Sequence, residues 1–356
     1  KITFPEVTPI ANSTLTDAEH LVKIGYNKPI KGHMQEIVIA KDIPDTLKEE
    51  FYEVQKSLND VIGAYPRYVM LLYTDNENSQ DVFEKLKETH WEQPLRIENG
   101  YLVGAGCLSG SGGMYNVDPP DPYNLCIMDY EFINNPHHLK DNGASDIEAR
   151  AVIYHGWAHE YFHHYQGVNV LDKHMGMPND CCGHENNAIG APAWWVEGAA
   201  IIFPNLWLRD NWNTFSRFQN ITFDDIKNIE RLDLNRWYTD VRKDIQGINF
   251  ESECFKNGAF IGPNEEYRET AKCDMGLINA YLAYITSYQT VWVDLVEDMY
   301  ELGFDGSFEK HVGMTKEKFY EEYNAFLRSG DPNDPPPPGF FPDKPISEVV
   351  DFLVNK

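Results

Sequence analysis

Residues 145–167 read Ser-Asp-Ile-Glu-Ala-Arg-Ala-Val-Ile-Tyr-His-Gly-Trp-Ala-His-Glu-Tyr-Phe-His-His-Tyr-Gln-Gly, and the rest of the chain is read outward from them. Ser145 followed three residues later by Glu148 has the form of a capping box. In that motif the N-cap hydroxyl accepts from the N3 amide, and the N3 carboxylate accepts from the N-cap amide. Asp146 and Glu148 also place negative charge at the positive end of a helix dipole. No proline interrupts the run to Gln166, and Gly167 offers a C-terminal stop. The expected element is a helix of about six turns. Ile153, Trp157 and Phe162 supply apolar surface for burial. Gly156 weakens the helix and is expected to let another backbone come close.

Inside this helix His159-Glu160-Tyr161-Phe162-His163 fits the pattern H-E-x-x-H. Side chains four residues apart stack on one face. Both imidazoles can therefore ligate one Zn²⁺, with Glu160 as general base toward a metal-activated water. His155 shares that face as an alternative ligand or a neighbour of the ligands. His164 is one residue off it and reads as a packing or surface histidine. Glu160 and His163 also fit half of a di-iron site, but such a site needs a second Glu-x-x-His, and the chain has none.

A catalytic zinc takes three protein ligands and keeps one position open. A metzincin-type extension would place a histidine at position 169, which is Asn. Further on, Pro192-Ala193-Trp194-Trp195-Val196-Glu197-Gly198-Ala199-Ala200 reads as a buried helix with Pro192 in its first turn. Glu197 stands alone in that apolar run, and a buried carboxylate must be paired or metal-bound. The expected ligand set is His159, His163 and Glu197, holding one Zn²⁺ per chain.

HEYFH followed by WWVEGAA resembles the gluzincin peptidases, relatives of thermolysin and aminopeptidase N, and within them the peptidase MA-like domains. There an H-E-x-x-H helix is followed by a W-x-x-E-G-x-A helix whose Glu is the third zinc ligand, which here is Glu197. Thirty-three residues separate His163 from Glu197, a longer insertion than in the thermolysin pattern. A later segment, Ala283-Tyr284-Ile285-Thr286-Ser287-Tyr288 and the apolar pattern through Met299, is similar to a third family element. The resemblance implies that Tyr284, or Tyr288 one turn on, donates to the oxyanion at the scissile carbonyl. It spans roughly Asp146 to Leu327 and is specific at the two zinc motifs.

The N-terminal part alternates strand and helix signals. Strands are expected at Glu36–Ala40, Tyr68–Tyr73, Tyr101–Leu108 and Leu125–Tyr130, and helices at Ile43–Ile62 and Asp81–Thr89. After Pro192 the signals are mainly helical. With the resemblance, this order implies an α+β fold, a zincin-like two-lobed catalytic domain. Its N-terminal lobe would hold a mixed sheet and the active-site helix, and its C-terminal lobe would be mainly helical. The expected divisions are an extension over 1–30, a sheet-bearing lobe over 31–190, a helical lobe over 191–330, and a Pro-rich linker with a short helix over 331–356. Tyr101–Leu108 or Leu125–Tyr130 is expected to be the edge strand that receives an extended peptide.

The formal net charge is −26, which argues against nucleic acid and anionic membranes as partners. No apolar run has the length of a transmembrane helix. Six cysteines and the sequons at Asn12 and Asn220 point to an oxidising, extracellular compartment and a glycoprotein. Local spacing favours the pairs Cys107–Cys126 and Cys254–Cys273, with Cys181 and Cys182 left open. The implied function is that of a secreted zinc metallopeptidase acting on peptide or protein substrates. The alternatives are a zinc hydrolase of the same fold acting on a non-peptide or glycopeptide substrate, and a non-catalytic extracellular binding protein that retains the zinc site.

Overall fold

The computed structural model describes residues 36–39, 41, 43–64, 68–73, 96–98, 101–103, 113–116, 124–129, 145–169, 191–223, 226, 232–246 and 275–353. Of most strand residues it describes the backbone only. The six cysteine side chains, Asn12, the helix expected at Asp81–Thr89 and the insertion over 170–190 lie outside the described residues. Two compact units emerge. One comprises Lys1–Cys181, Asn211–Ile221 and Leu353–Lys356, the other Cys182–Asp210 and Thr222–Phe352.

In the first unit the described order is β1 (Glu36–Ile39), α1 (Asp45–Ile62), β2 (Tyr68–Tyr73), β3 (Arg96–Glu98), β4 (Tyr101–Val103), β5 (Gly113–Asn116), β6 (Asn124–Asp129) and α2 (Asp146–Asn169). The backbone ladder runs β1-β2-β6-β5, and β3 and β4 form a separate antiparallel pair. β1 pairs parallel to β2, with Glu36 opposite Val69, and β2 pairs parallel to β6, with Tyr68 opposite Asn124. β5 is antiparallel to β6, with Gly113 opposite Ile127. The strand expected at Leu125–Tyr130 is thus flanked on both sides and is not an edge. Tyr101–Val103 belongs to the separate pair.

The expected α+β class with a mixed-sheet lobe is corrected. Among residues described with their side chains, 74% are helical and 2% lie in strands, and no sheet is described at that level. The physical reason lies in element length. The strands run three to six residues, whereas the amphipathic and apolar segments grow into helices of 18, 24 and 19 residues that carry the core. The residues described with their side chains are predominantly helical.

α1 places Leu47, Phe51, Val54, Leu58 and Ile62 on one buried stripe at helical spacing. α2 begins as its sequence requires. The Ser145 amide donates to Glu148 Oε2 at 2.6 Å, and the Glu148 amide donates to Ser145 Oγ at 3.3 Å. Its far end runs two residues beyond Gly167, so that glycine does not stop the helix. α2 locks onto α1 through polar contacts set among apolar ones. Tyr154 donates to Glu50 Oε1 at 2.9 Å, Trp157 Nε1 to Gln55 Oε1 at 2.8 Å, and Tyr161 to the Gly63 carbonyl at 2.6 Å. Asn59 Nδ2 donates both to the Tyr161 oxygen and to the same carbonyl. Gly63 carries φ 81°, a left-handed backbone that closes α1 and suits glycine. Phe51 lies 4.6 Å from the Trp157 ring, and Tyr154 packs on Phe215 and Phe218 of the short 3₁₀ turns that follow residue 211.

The second unit contains α3 (Ala193–Asn211), α4 (Leu234–Ile245), α5 (Met275–Ile285), a π-helical turn over Thr290–Asp294, α6 (Leu295–Val312), α7 (Lys316–Leu327) and α8 (Ile346–Val349). α6 is bent at Gly303, which sits at φ 69°. Trp194 Nε1 donates to the Tyr320 hydroxyl at 2.9 Å, and Trp195 Nε1 to the Val291 carbonyl at 3.1 Å. Asn279 is fully buried. It donates to the Trp195 carbonyl and accepts from Trp292 Nε1 at 3.0 Å. α3 and α5 meet backbone to backbone at Gly198, where an added Cβ would lie 2.1 Å from the Met275 carbonyl oxygen.

The proline-rich segment is pinned at both ends. Arg242 donates to the carbonyls of Ser329 and Asp331, and Arg209 to those of Pro342 and Lys344. Between them Phe340 is fully buried against Tyr238, Phe326 and Tyr284.

Two outcomes follow from these contacts. Tyr161→Phe removes a buried hydroxyl and should lower stability by about 1–2 kcal/mol, read as a fall in the urea midpoint. Gly198→Ala forces a methyl against the Met275 carbonyl and should cost about 1–3 kcal/mol by the same measurement. A neutral result at Gly198 would mean that α3 and α5 separate without cost.

Candidate metal centre

Spacing along α2 sorts its residues into two faces. Tyr154, Trp157, Ala158, Tyr161 and Tyr165 are buried and share the face turned to the core. His155, His159, His163 and Gln166 recur at three- and four-residue spacing on another face. His163 and His155 are buried, while His159 and Glu160 are half-buried. The Nε2 atoms of His159 and His163 face each other at 3.1 Å, with the rings nearly perpendicular. Two nitrogens bound to one tetrahedral Zn²⁺ at 2.0–2.1 Å would lie about 3.3 Å apart. The pair therefore needs little movement to share an ion.

His163 uses its other nitrogen as well. Nδ1 lies 2.8 Å from Gln166 Oε1, and both side chains are buried. Glu197 sits in the second turn of α3. One ligand atom from each of His159, His163 and Glu197 lies within 4.8 Å of the others, so the three can hold a metal ion. The donor set fits: two imidazole nitrogens and one carboxylate oxygen, with Glu160 beside His159 on the same helix.

Both tyrosines implied by the resemblance lie in the second unit. Tyr284 is 41% exposed, and its ring lies 5.5 Å from Phe340 of the proline-rich segment. Tyr288 is buried against Trp292, and its hydroxyl has no hydrogen-bond partner among the described residues. Burial raises the Tyr288 phenol above its ordinary range, and the positive charge of Arg209 opposes this. Arg209 follows Glu197 by twelve residues on α3, about 18 Å along its axis.

Among the described residues, an added Cβ at Gly156 would meet nothing within 4 Å. Gln166, which sequence reasoning did not single out, stands three residues after His163 on the same helix face. That i, i+3 spacing was the signal available for it. No family model, curated protein or solved structure matches the chain.

The centre implies a stoichiometry. Metal-stripped full-length protein incubated with Zn²⁺ and desalted should carry about one ion per chain by elemental analysis, and His163→Ala should carry well below one. A wild-type protein that folds and returns with no metal would remove the centre.

Proposed function

We propose that this protein is a zinc-dependent peptidase, with a site of the kind its two zinc motifs resemble. One observation carries the reading. One ligand atom from each of His159, His163 and Glu197 lies within 4.8 Å of the others, and the carboxylate of Glu160 stands next to His159 on the same helix. Bound there, Zn²⁺ would supply Lewis-acid polarisation of a carbonyl and make water acidic enough to attack near neutral pH.

The chain's own residues do the rest. His159, His163 and Glu197 hold the ion, two neutral donors and one anion. Glu160 takes a proton from the attacking water as its oxygen bonds to the peptide carbonyl carbon. It returns that proton to the amide nitrogen as the carbon–nitrogen bond breaks, so a carboxylic acid and an amine leave. A site that served only to hold a metal would have no use for a carboxylate at position 160, which favours hydrolysis over a purely structural ion.

The extracellular reading belongs to the same proposal. Asn220, at φ 72°, and Thr222 are both exposed, so the Asn-Ile-Thr sequon stands at the surface. Among the described residues no helix is long and apolar enough to cross a membrane.

Glu160→Gln tests the mechanism. The variant should keep its zinc and lose at least about 100-fold in turnover of a mixed peptide library, the scale of a lost general base. Wild-type cleavage should vanish on chelation and return with zinc. Near-normal turnover by the variant would refute the base assignment, and metal without any cleavage in the wild type would refute the peptidase reading.

A further inference from the structure

We infer that Gln166 is the positioning residue of the metal centre. In this role it holds His163 with its proton on Nδ1 and its Nε2 lone pair free for the ion. The inference rests on the metal reading above. An imidazole can ligate through Nε2 only when the proton sits on Nδ1, and the partner at Nδ1 selects that tautomer. Gln166 Oε1 lies 2.8 Å from His163 Nδ1, which is hydrogen-bond distance, and an amide oxygen only accepts. His163 is 4% exposed and Gln166 6%, so water competes poorly for that nitrogen.

The helix makes the contact local. Residues three apart are neighbours on one face, so the same backbone that aims Nε2 of His163 toward His159 brings the Gln166 amide to its other side. The rotation of α2, set by Tyr161 and Trp157 on the opposite face, carries His159, His163 and Gln166 together.

The chemistry of the partner matters too. A carboxylate at this position would orient the ring and also pass negative charge to it, raising its basicity as a ligand. The neutral amide orients without adding charge. Gln166 therefore adds no negative charge through His163, which leaves more of the ion's positive charge for a substrate carbonyl.

Zinc affinity of the full-length protein, read by competition with a chromophoric chelator, tests this without any activity assay. Gln166→Leu removes the acceptor at similar volume and should weaken zinc binding about 10–100-fold, with the far-ultraviolet circular dichroism of the metal-free protein unchanged. Gln166→Glu keeps an acceptor and should bind within about threefold of wild type or tighter, the range of a retained contact. If the leucine variant fails to fold, Gln166→Met, unbranched and without an oxygen, takes its place. Wild-type affinity in the variant lacking the oxygen, or a loss in Gln166→Glu as large as in that variant, would overturn the role of Gln166 while leaving the metal centre standing. A wild-type protein that binds no zinc would overturn both.

Discussion

The hydrogen bond from the Tyr161 phenol to the Gly63 carbonyl sets the geometry on which the candidate centre depends. Tyr161 lies between the two histidines of the H-E-x-x-H pattern, on the opposite side of α2. Each residue turns a helix by about 100°, so the direction of one buried side chain determines that of every other. A buried hydroxyl and a buried carbonyl left unpaired would each cost about 1–3 kcal/mol. Asn59, which touches both, and Trp157 bound to Gln55 hold α2 to the same rotation. With that rotation established, His159 and His163 lie on the side of α2 opposite Tyr161, and their Nε2 atoms converge.

The second unit uses the same device on the helix that carries Glu197. Trp194 and Trp195 fill the core, and each indole N–H reaches a specific oxygen, on Tyr320 and on Val291. Asn279 joins Trp195 to Trp292 in an otherwise apolar setting. Apolar contacts alone tolerate sliding, whereas buried polar groups tolerate only the arrangement that pairs them. Gly198 permits the closest approach, where the Met275 carbonyl occupies the space of a side chain. The motif Glu197-Gly198 thus combines a chemical residue with a packing one. Arg209 and Arg242 tie the proline-rich segment to the same unit by donating to its carbonyls.

Much of this was legible in the chain because it is local. The Ser145–Glu148 capping box and β2 over Tyr68–Tyr73 rest on neighbours a few residues apart and stand where the pattern places them, and α1 ends at Ile62 as expected but starts at Asp45, two residues after the expected Ile43. The pairing of His159 with His163 follows from helical spacing alone. The balance between helix and strand was not legible in this way. Apolar runs signal both, and only the lengths reached in the fold weight the described residues to helix. Gly167 illustrates the limit at smaller scale: a glycine permits a stop, yet α2 continues to Asn169.

By itself, then, the sequence determined residue types and intervals: two histidines four apart, a glutamate between them, a second glutamate in an apolar helix, and a cap to start the first. Tertiary structure decided everything that joins residues distant along the chain. The Tyr161 hydroxyl meets the carbonyl of a residue 98 positions away, and Asn279 meets a tryptophan carbonyl 84 positions away. It also decided that β6 is flanked on both sides. The physical reason is that spacing specifies which side chains share a face, while the direction of that face is set by the few buried polar groups that must find partners across the core.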